Sequence, residues 1–417
     1  MADFRNDRLS YAIAAARECG DVWKLARGVY VAASLSACRT VLQRTNQEYS
    51  RGLMAFPPTP QPPDAVFPVR TEVAHGRSAR MRGLRPQAVS GRVPEIARDI
   101  REFVADWPVN QDLEILPMML RAFTEIGNKF MFGGDATHLA EAVEGLRKIS
   151  EEMPPPRSRW YPDVDKRARA YLRAQFARKL QDVIDRRRTE QNTGEDLLAQ
   201  MLQPSSQYGT LPDRVVIDSL AVMAVSMSDI PSVAAGWILL SLARHPESAR
   251  RIAREAQSLP ADPQDVTSFA VDRLHYTRAF VHEVLRLHPP NWLFNRQTTR
   301  RTTLNGYEVP AGAKVLVCAY SAQRDPGQQE NPDEFDPSRW LSNDGQLRKV
   351  SAFLSFGDGP ARCGGIALAT LELTLVTAEA ARRYQFHEPP GPLPSHEIHS
   401  DGCNAPAGLR LRVTTRI

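Results

Sequence analysis

From Ser219 to Ala243 the chain carries one charged side chain, Asp229, over a stretch long enough to cross a bilayer. A helix that is apolar on nearly every side has two stable homes, a membrane or the centre of a large protein that wraps it completely. Asp229 and Pro231 in mid-segment, with Ser226, Ser228 and Ser232, stand against the membrane. The chain has 417 residues, 42% of them hydrophobic, which is enough for a large buried core. Length alone would suggest two or three domains. Residues 7 to 52 read as helices around a short strand region, Val22 to Val31. Apolar residues then recur at helical spacing over residues 92 to 192 and again from 195 to 286. From Trp292 to Val317 the pattern turns strand-like, with Asn305-Gly306 as a hairpin turn signal.

A second feature carries chemistry. The run Phe356-Gly357-Asp358-Gly359-Pro360-Ala361-Arg362-Cys363-Gly364-Gly365 leads directly into the helical pattern Ile366-Ala367-Leu368-Ala369-Thr370-Leu371-Glu372-Leu373. A cysteine in a glycine-rich turn at a helix N-terminus is well placed to be a thiolate, because unpaired N–H groups and the helix dipole favour the anion. Glycines there also let backbone pass close under a flat ligand. An ordinary glycine turn beside a buried cysteine would read the same way, so three further segments matter. Glu283-Val284-Leu285-Arg286 puts an acid and a base on one helix face, followed by Leu287-His288-Pro289-Pro290 and Arg296. Asn331-Pro332-Asp333-Glu334-Phe335-Asp336-Pro337-Ser338-Arg339-Trp340 comes next.

In this order the four segments resemble the cytochrome P-450 family, whose cysteine thiolate is the proximal ligand of haem iron. The resemblance runs from about residue 10 to the end. It implies one large domain, mainly α with a smaller β region. The helix-rich core would span about 92–290, the strand-rich region about 292–318, and the haem-ligand loop with its helix about 353–385. The apolar stretch becomes the family's central helix, so no membrane span is expected. Haem b would be held by Cys363, with Phe356, Gly357, Arg362 and Gly365 around it and Arg296, His75 and Arg77 toward its propionates. Glu283, Arg286 and Arg339 would form a buried ion cluster. Met223, Ile230, Trp292, Leu293, Phe294 and Phe67 would line a substrate pocket roofed by the proline-rich residues 53–70. Met153-Pro154-Pro155-Pro156 would mark a mobile lid.

The chain departs from the family twice. Proton delivery there usually uses an acid followed by a threonine in the central helix; here the acid is Asp229 and the next residue is Ile230. Isoleucine neither donates to oxygen nor holds a water. Ser226, one turn earlier, is the candidate to hold that water, and Pro231 is expected to bend the helix by depriving the Met227 carbonyl of its donor. Otherwise Ile230 simply shapes an apolar pocket. The second departure is Ala361, where the family places a basic residue two positions before the cysteine. Either Arg362 takes that part, or Arg296 and the arginines before residue 93 do.

Three functional readings follow: monooxygenation of a small organic molecule, as in secondary-metabolite tailoring; an oxidative coupling or peroxide-driven reaction suggested by Ile230; or a non-catalytic haem module. Within these residues no flavin or iron–sulfur segment is seen, so electrons are expected from a separate ferredoxin or flavodoxin with its reductase. The net charge is +5, and Arg77, Arg80, Arg82, Arg85 and Arg92 cluster in the chain. That run suits an acidic redox partner or an acidic carrier protein, or is simply a solvated face. No motif points to nucleic acid, and a monomer is expected. Five cysteines, widely spaced and odd in number, give no disulfide framework. With no secretory pattern at the start, a reducing cytoplasm is expected; Cys19, Cys38, Cys318 and Cys403 are read as structural.

Overall fold

The computed structural model describes residues 7–51, 81–151, 166–190, 194–204, 209–350, 353–389, 396–398, 403–406 and 408–416. Phe67, His75, Arg77, Arg80, the proline-rich roof and the Met153–Pro156 break lie outside the described residues.

The apolar stretch folds as two helices, Asp213–Ser226 and Asp229–Arg244. Every residue from Pro231 to Leu242 is buried. The helices Ile115–Phe132, Ile366–Arg383, His275–Leu287 and Pro246–Ala256 all pack against the second of these. A segment apolar all round has thus been enclosed by helices on its several sides. The expected bend is a break at Met227–Ser228, at the carbonyl that Pro231 deprives of its donor, and Pro231 itself falls in the first turn of the following helix. Early helical positions have no intrahelical acceptor for their N–H groups, so proline is tolerated there.

The strand-rich region builds a five-stranded sheet in the order Val22–Ala26, Val29–Ala32, Lys314–Cys318, Leu293–Thr298, Tyr49–Arg51. One pair, Val29–Ala32 with Lys314–Cys318, is parallel; the others are antiparallel. The outermost pairing sets Arg51 directly opposite Arg296. Asn305 and Gly306, with φ of 46° and 86°, join the short strands Thr302–Leu304 and Tyr307–Val309. Both angles are those of a type I′ hairpin turn.

The acid–base pair on His275–Leu287 is completely buried. Arg286 donates twice to Glu283, at 2.8 Å and 2.8 Å. Arg339 Nε and Trp340 Nε1 each donate to the same carboxylate at 2.9 Å. The remaining Arg286 donors reach the carbonyls of Gln323, Pro332 and Glu334. A buried pair is tolerable only when its donors and lone pairs are satisfied in this way. Cys38, Cys318 and Cys403 are buried, whereas Cys19 ends the first helix, Arg8–Cys19, exposed and without a packing role.

Candidate active site

The cysteine turn is held from both ends. Before it, the Leu354 N–H and Ser355 hydroxyl donate to Gln323 Oε1 at 2.6 and 3.0 Å, while Gln323 Nε2 donates to the Arg286 carbonyl at 2.9 Å. The buried ion cluster is therefore coupled to the turn through one glutamine. Within the turn, the Gly357 N–H bonds the Leu354 carbonyl at 2.7 Å and the Cys363 N–H bonds the Phe356 carbonyl at 2.9 Å. Gly357 and Gly359 have φ of 69° and 66°, where only glycine is unstrained. A Cβ on Gly359 would lie 2.5 Å from the Leu42 carbonyl oxygen, so the turn is seated on backbone of the helix Leu35–Gln43. Asp358 fastens that seat, accepting from Gln43 Nε2 at 3.1 Å. Cys363 then emerges two residues before Gly365, which caps Ile366–Arg383, the cysteine helix.

Cys363 opens onto a cavity of about 320 Å³. One wall is the cysteine turn itself, including Phe356, Gly357, Arg362 and Gly365. Facing it is the interrupted central helix, with Met223, Ser226, Met227, Ile230 and Pro231. Phe294 and Arg296 come from the sheet. Ser226 Oγ donates to the Val222 carbonyl at 2.8 Å, which leaves its lone pairs to accept a hydrogen from a water or ligand. Asp229 begins the second helix half-buried and is not among the lining residues.

Two pocket expectations are corrected. Trp292 packs with Leu9, Ala12 and Trp23 in a separate apolar cluster, and Leu293 lies against that same cluster; neither lines the cavity. Successive strand residues point to opposite faces, so Phe294 and Arg296 share the cavity side while Leu293 turns away. Trp292 precedes the strand and follows the N-terminal helix instead. Within the arginine run, Arg92 is taken up internally: it donates to Glu95 at 2.6 Å and lies 5.2 Å over the Phe130 ring. Arg82 also turns inward, toward the Gln200 and Gln203 carbonyls, and Arg85 is the described member that faces solvent.

The sequence reading missed Arg51, Gln323 and Glu372. Arg51 reaches the cavity only because Tyr49–Arg51 pairs with a strand nearly 250 residues later, for which no local signal exists. Glu372 did leave a signal, as one carboxyl among Leu368, Leu371, Leu373 and Leu375. The residue is 3% exposed, and burial pushes its carboxyl up to about 8.

The residues fit a haem. Gly364 and Gly365 keep side-chain bulk away from Cys363: a Cβ on Gly364 would run into the Met81 sulfur, and one on Gly365 would sit 3.8 Å from Cys363 Sγ. Two arginines set opposite one another across a strand pair repel. Arg296 is 8% exposed, held by Thr45 Oγ1 at 3.0 Å and the Asn295 carbonyl at 2.8 Å, and with Arg51 lines the cavity. Such a pair is stabilised by an anion of the kind two propionates supply.

A family model described as Cytochrome P450 matches residues 5–406. The chain is 30% identical to the cyclooctat-9-en-7-ol 5-monooxygenase of Streptomyces melanosporofaciens, over 71% of this chain and 66% of that protein. It is 32% identical to the cyclooctatin synthase of the same organism over 45% of this chain and 41% of that one. A taxane 13-alpha-hydroxylase from Taxus cuspidata is 25% identical over 72% of this chain and 64% of its own. The aligned parts thus span less than two thirds of these relatives' lengths. Among solved structures, a cyanobacterial CYP120A1 with retinoic acid bound superposes with a TM-score of 0.81, at 19% identity, covering 99% of this chain and 95% of that chain. A mutant of P450 EryK in complex with erythromycin B gives 0.68 at 21% identity, over 98% and 96% of the two chains. Those structural likenesses show the fold, and the family match over nearly the whole sequence shows more: this chain belongs to the cytochrome P450 family.

Proposed function

We propose that this protein is a haem-thiolate monooxygenase that oxidises a small, largely apolar molecule. The observation that carries the reading is Cys363 opening from a glycine turn into a cavity whose opposite wall is an interrupted apolar helix. When bound, the haem would supply the redox chemistry of dioxygen activation. The chain's own residues do the rest. Cys363 is the metal ligand, Arg296 with Arg51 holds the propionates, and the ion cluster, through Gln323, keeps the turn in place. Met223, Ile230 and Phe294 exclude water around an apolar substrate, and Ser226 offers its lone pairs to the water that organises proton delivery, with Asp229 as the acid beside it. By their names, relatives act on a cyclic alcohol and on a taxane, which suits a substrate that is mostly hydrocarbon with few polar groups. Electrons come from a separate acidic ferredoxin or flavodoxin docking near Arg85, and a cytoplasmic location accords with five cysteines whose spacing gives no disulfide framework.

A purified holoprotein is expected to show the thiolate-type spectrum of reduced, carbon-monoxide-treated haem, and Cys363→Ser is expected to abolish it. A spectrum unchanged by C363S ends this reading. The second reading, oxidative coupling without oxygen insertion, is favoured by Ile230 standing at the cavity where the family has threonine. Turnover under labelled dioxygen separates them: label in the product means monooxygenation, and its absence means coupling.

A further inference from the structure

A glycine inside a helix is less stable there than alanine, so its presence calls for a reason. Gly127 is buried in the interior of the helix Ile115–Phe132, with Phe123 one turn before it and Phe130 one turn after, both buried too. The reason is Met227. A Cβ on Gly127 would lie 3.3 Å from Met227 Cβ, and 4.0 Å from both Met227 Cε and the Met227 carbonyl oxygen. The root and the tip of the methionine side chain therefore both lie over the bare glycine. An unbranched thioether folds readily into a gap of that kind.

Met227 stands at the break in the central helix and borders the cavity that Cys363 opens onto, whereas Gly127 does not touch that cavity. The Met227 N–H is held by the Met223 carbonyl at 2.8 Å. On its other side Pro231 offers no N–H to the Met227 carbonyl, so the regular helical ladder restrains this residue from one direction only. The same two helices meet a second time at Gly236, where a Cβ would lie 2.7 Å from Leu116 Cδ2. Leu116 and Gly127 on one helix thus meet Gly236 and Met227 on the other in reverse order, so the pair runs antiparallel with a glycine at each close approach. Seated at Gly236, the helices are not free to part at Gly127. Met227 has the helix Ile115–Phe132 on one side and the cavity on the other, so an atom added at position 127 is accommodated by moving Met227 into the cavity.

We propose that Gly127 is a positioning residue for substrate size: the recess left by its missing side chain holds Met227 back and keeps the space beside Cys363 open to a bulky, mostly hydrocarbon substrate. This rests on the haem-thiolate reading above.

The test titrates holoprotein with two nitrogen ligands of haem iron, imidazole and the bulkier 4-phenylimidazole, read by the shift of the haem absorption band. Gly127→Ala is expected to fold, because alanine is the better helix former. Its affinity for 4-phenylimidazole is expected to fall about tenfold or more, while imidazole stays within about threefold of the wild type. Adding Met227→Ala to G127A is expected to restore 4-phenylimidazole to within about threefold of the wild type. A purely structural effect of the alanine would move both ligands together and would not be reversed at position 227. Equal losses for the two ligands, no loss for either, no recovery in the double variant, or a wild-type holoprotein that takes imidazole but refuses 4-phenylimidazole overturns the role of Gly127 alone. If G127A yields no holoprotein, recovery of 4-phenylimidazole binding in G127A/M227A supports the contact, and failure of the double variant overturns it. A wild type that binds no haem overturns the proposed function and this assignment together.

Discussion

At position 230 a branched hydrocarbon faces the cavity beside the hydroxyl of Ser226, one turn earlier, which is already donating to the Val222 carbonyl. A hydroxyl at 230 would add a donor and acceptor to a wall that has few. Ile230→Thr is therefore expected to raise the fraction of electrons recovered in product, read by comparing oxygen uptake with product yield; an unchanged ratio removes position 230 from proton delivery. Glu372 gives a second residue-scale prediction. Its carboxyl moves from an ordinary 4.5 to about 8 on folding. Between those values the folded chain keeps a proton that the unfolded chain has released, so stability falls as pH rises across that window, by about 1.4 kcal/mol per pH unit. Above it both states are ionised and the slope ends. Denaturant midpoints measured through the window are expected to show this decline in the wild type and a flatter line in E372Q.

Among the elements, the cysteine turn depends most on backbone geometry. Gly359 combines a positive φ with contact against helix Leu35–Gln43, its missing Cβ leaving 2.6 Å to Gln43 Cα. Gly359→Ala therefore meets strain of about 1–3 kcal/mol from the dihedral alone, and the backbone clash adds to it. The expected outcome is a lower melting temperature and faster haem loss with Cys363 intact, measured by thermal unfolding and by transfer of haem to an acceptor protein. The glycine spacing was legible as a turn at a helix start because local sterics set it. That the turn rests on residues 42 and 43 was not legible, since nothing near residue 359 encodes a partner more than 300 positions away. The central helix shows the converse: its burial was readable from composition, and its break at Met227–Ser228 from Pro231, whose missing N–H leaves the Met227 carbonyl without a helical donor.

For the molecule as a whole, the ion cluster ties three distant stretches into one body: the helix His275–Leu287, the turns from Glu330 to Trp340, and, through Gln323, the cysteine turn. Removing one partner strands a charge that is 0% exposed. Glu283→Ala is expected to cost about 3–5 kcal/mol in equilibrium unfolding and to loosen haem retention. Replacing Glu283 and Arg286 together by apolar residues is expected to cost less, because no charge is left buried without its partner. Equal losses for the single and double variants would mean that the cluster acts through shape and not through charge.

The sequence by itself determined the helix-rich class, the buried central segment, the cysteine turn and the Glu/Arg face, because each depends on short-range spacing, residue volume or the steric freedom of glycine. Only the tertiary structure decided that Arg51 stands beside Arg296, that Trp292 and Leu293 belong to a different cluster, and that Glu372 is buried at the cavity shared by Cys363 and the central helix. Those outcomes depend on strand pairing and on which helix faces meet, contacts between residues far apart in the chain that no local pattern of side chains encodes.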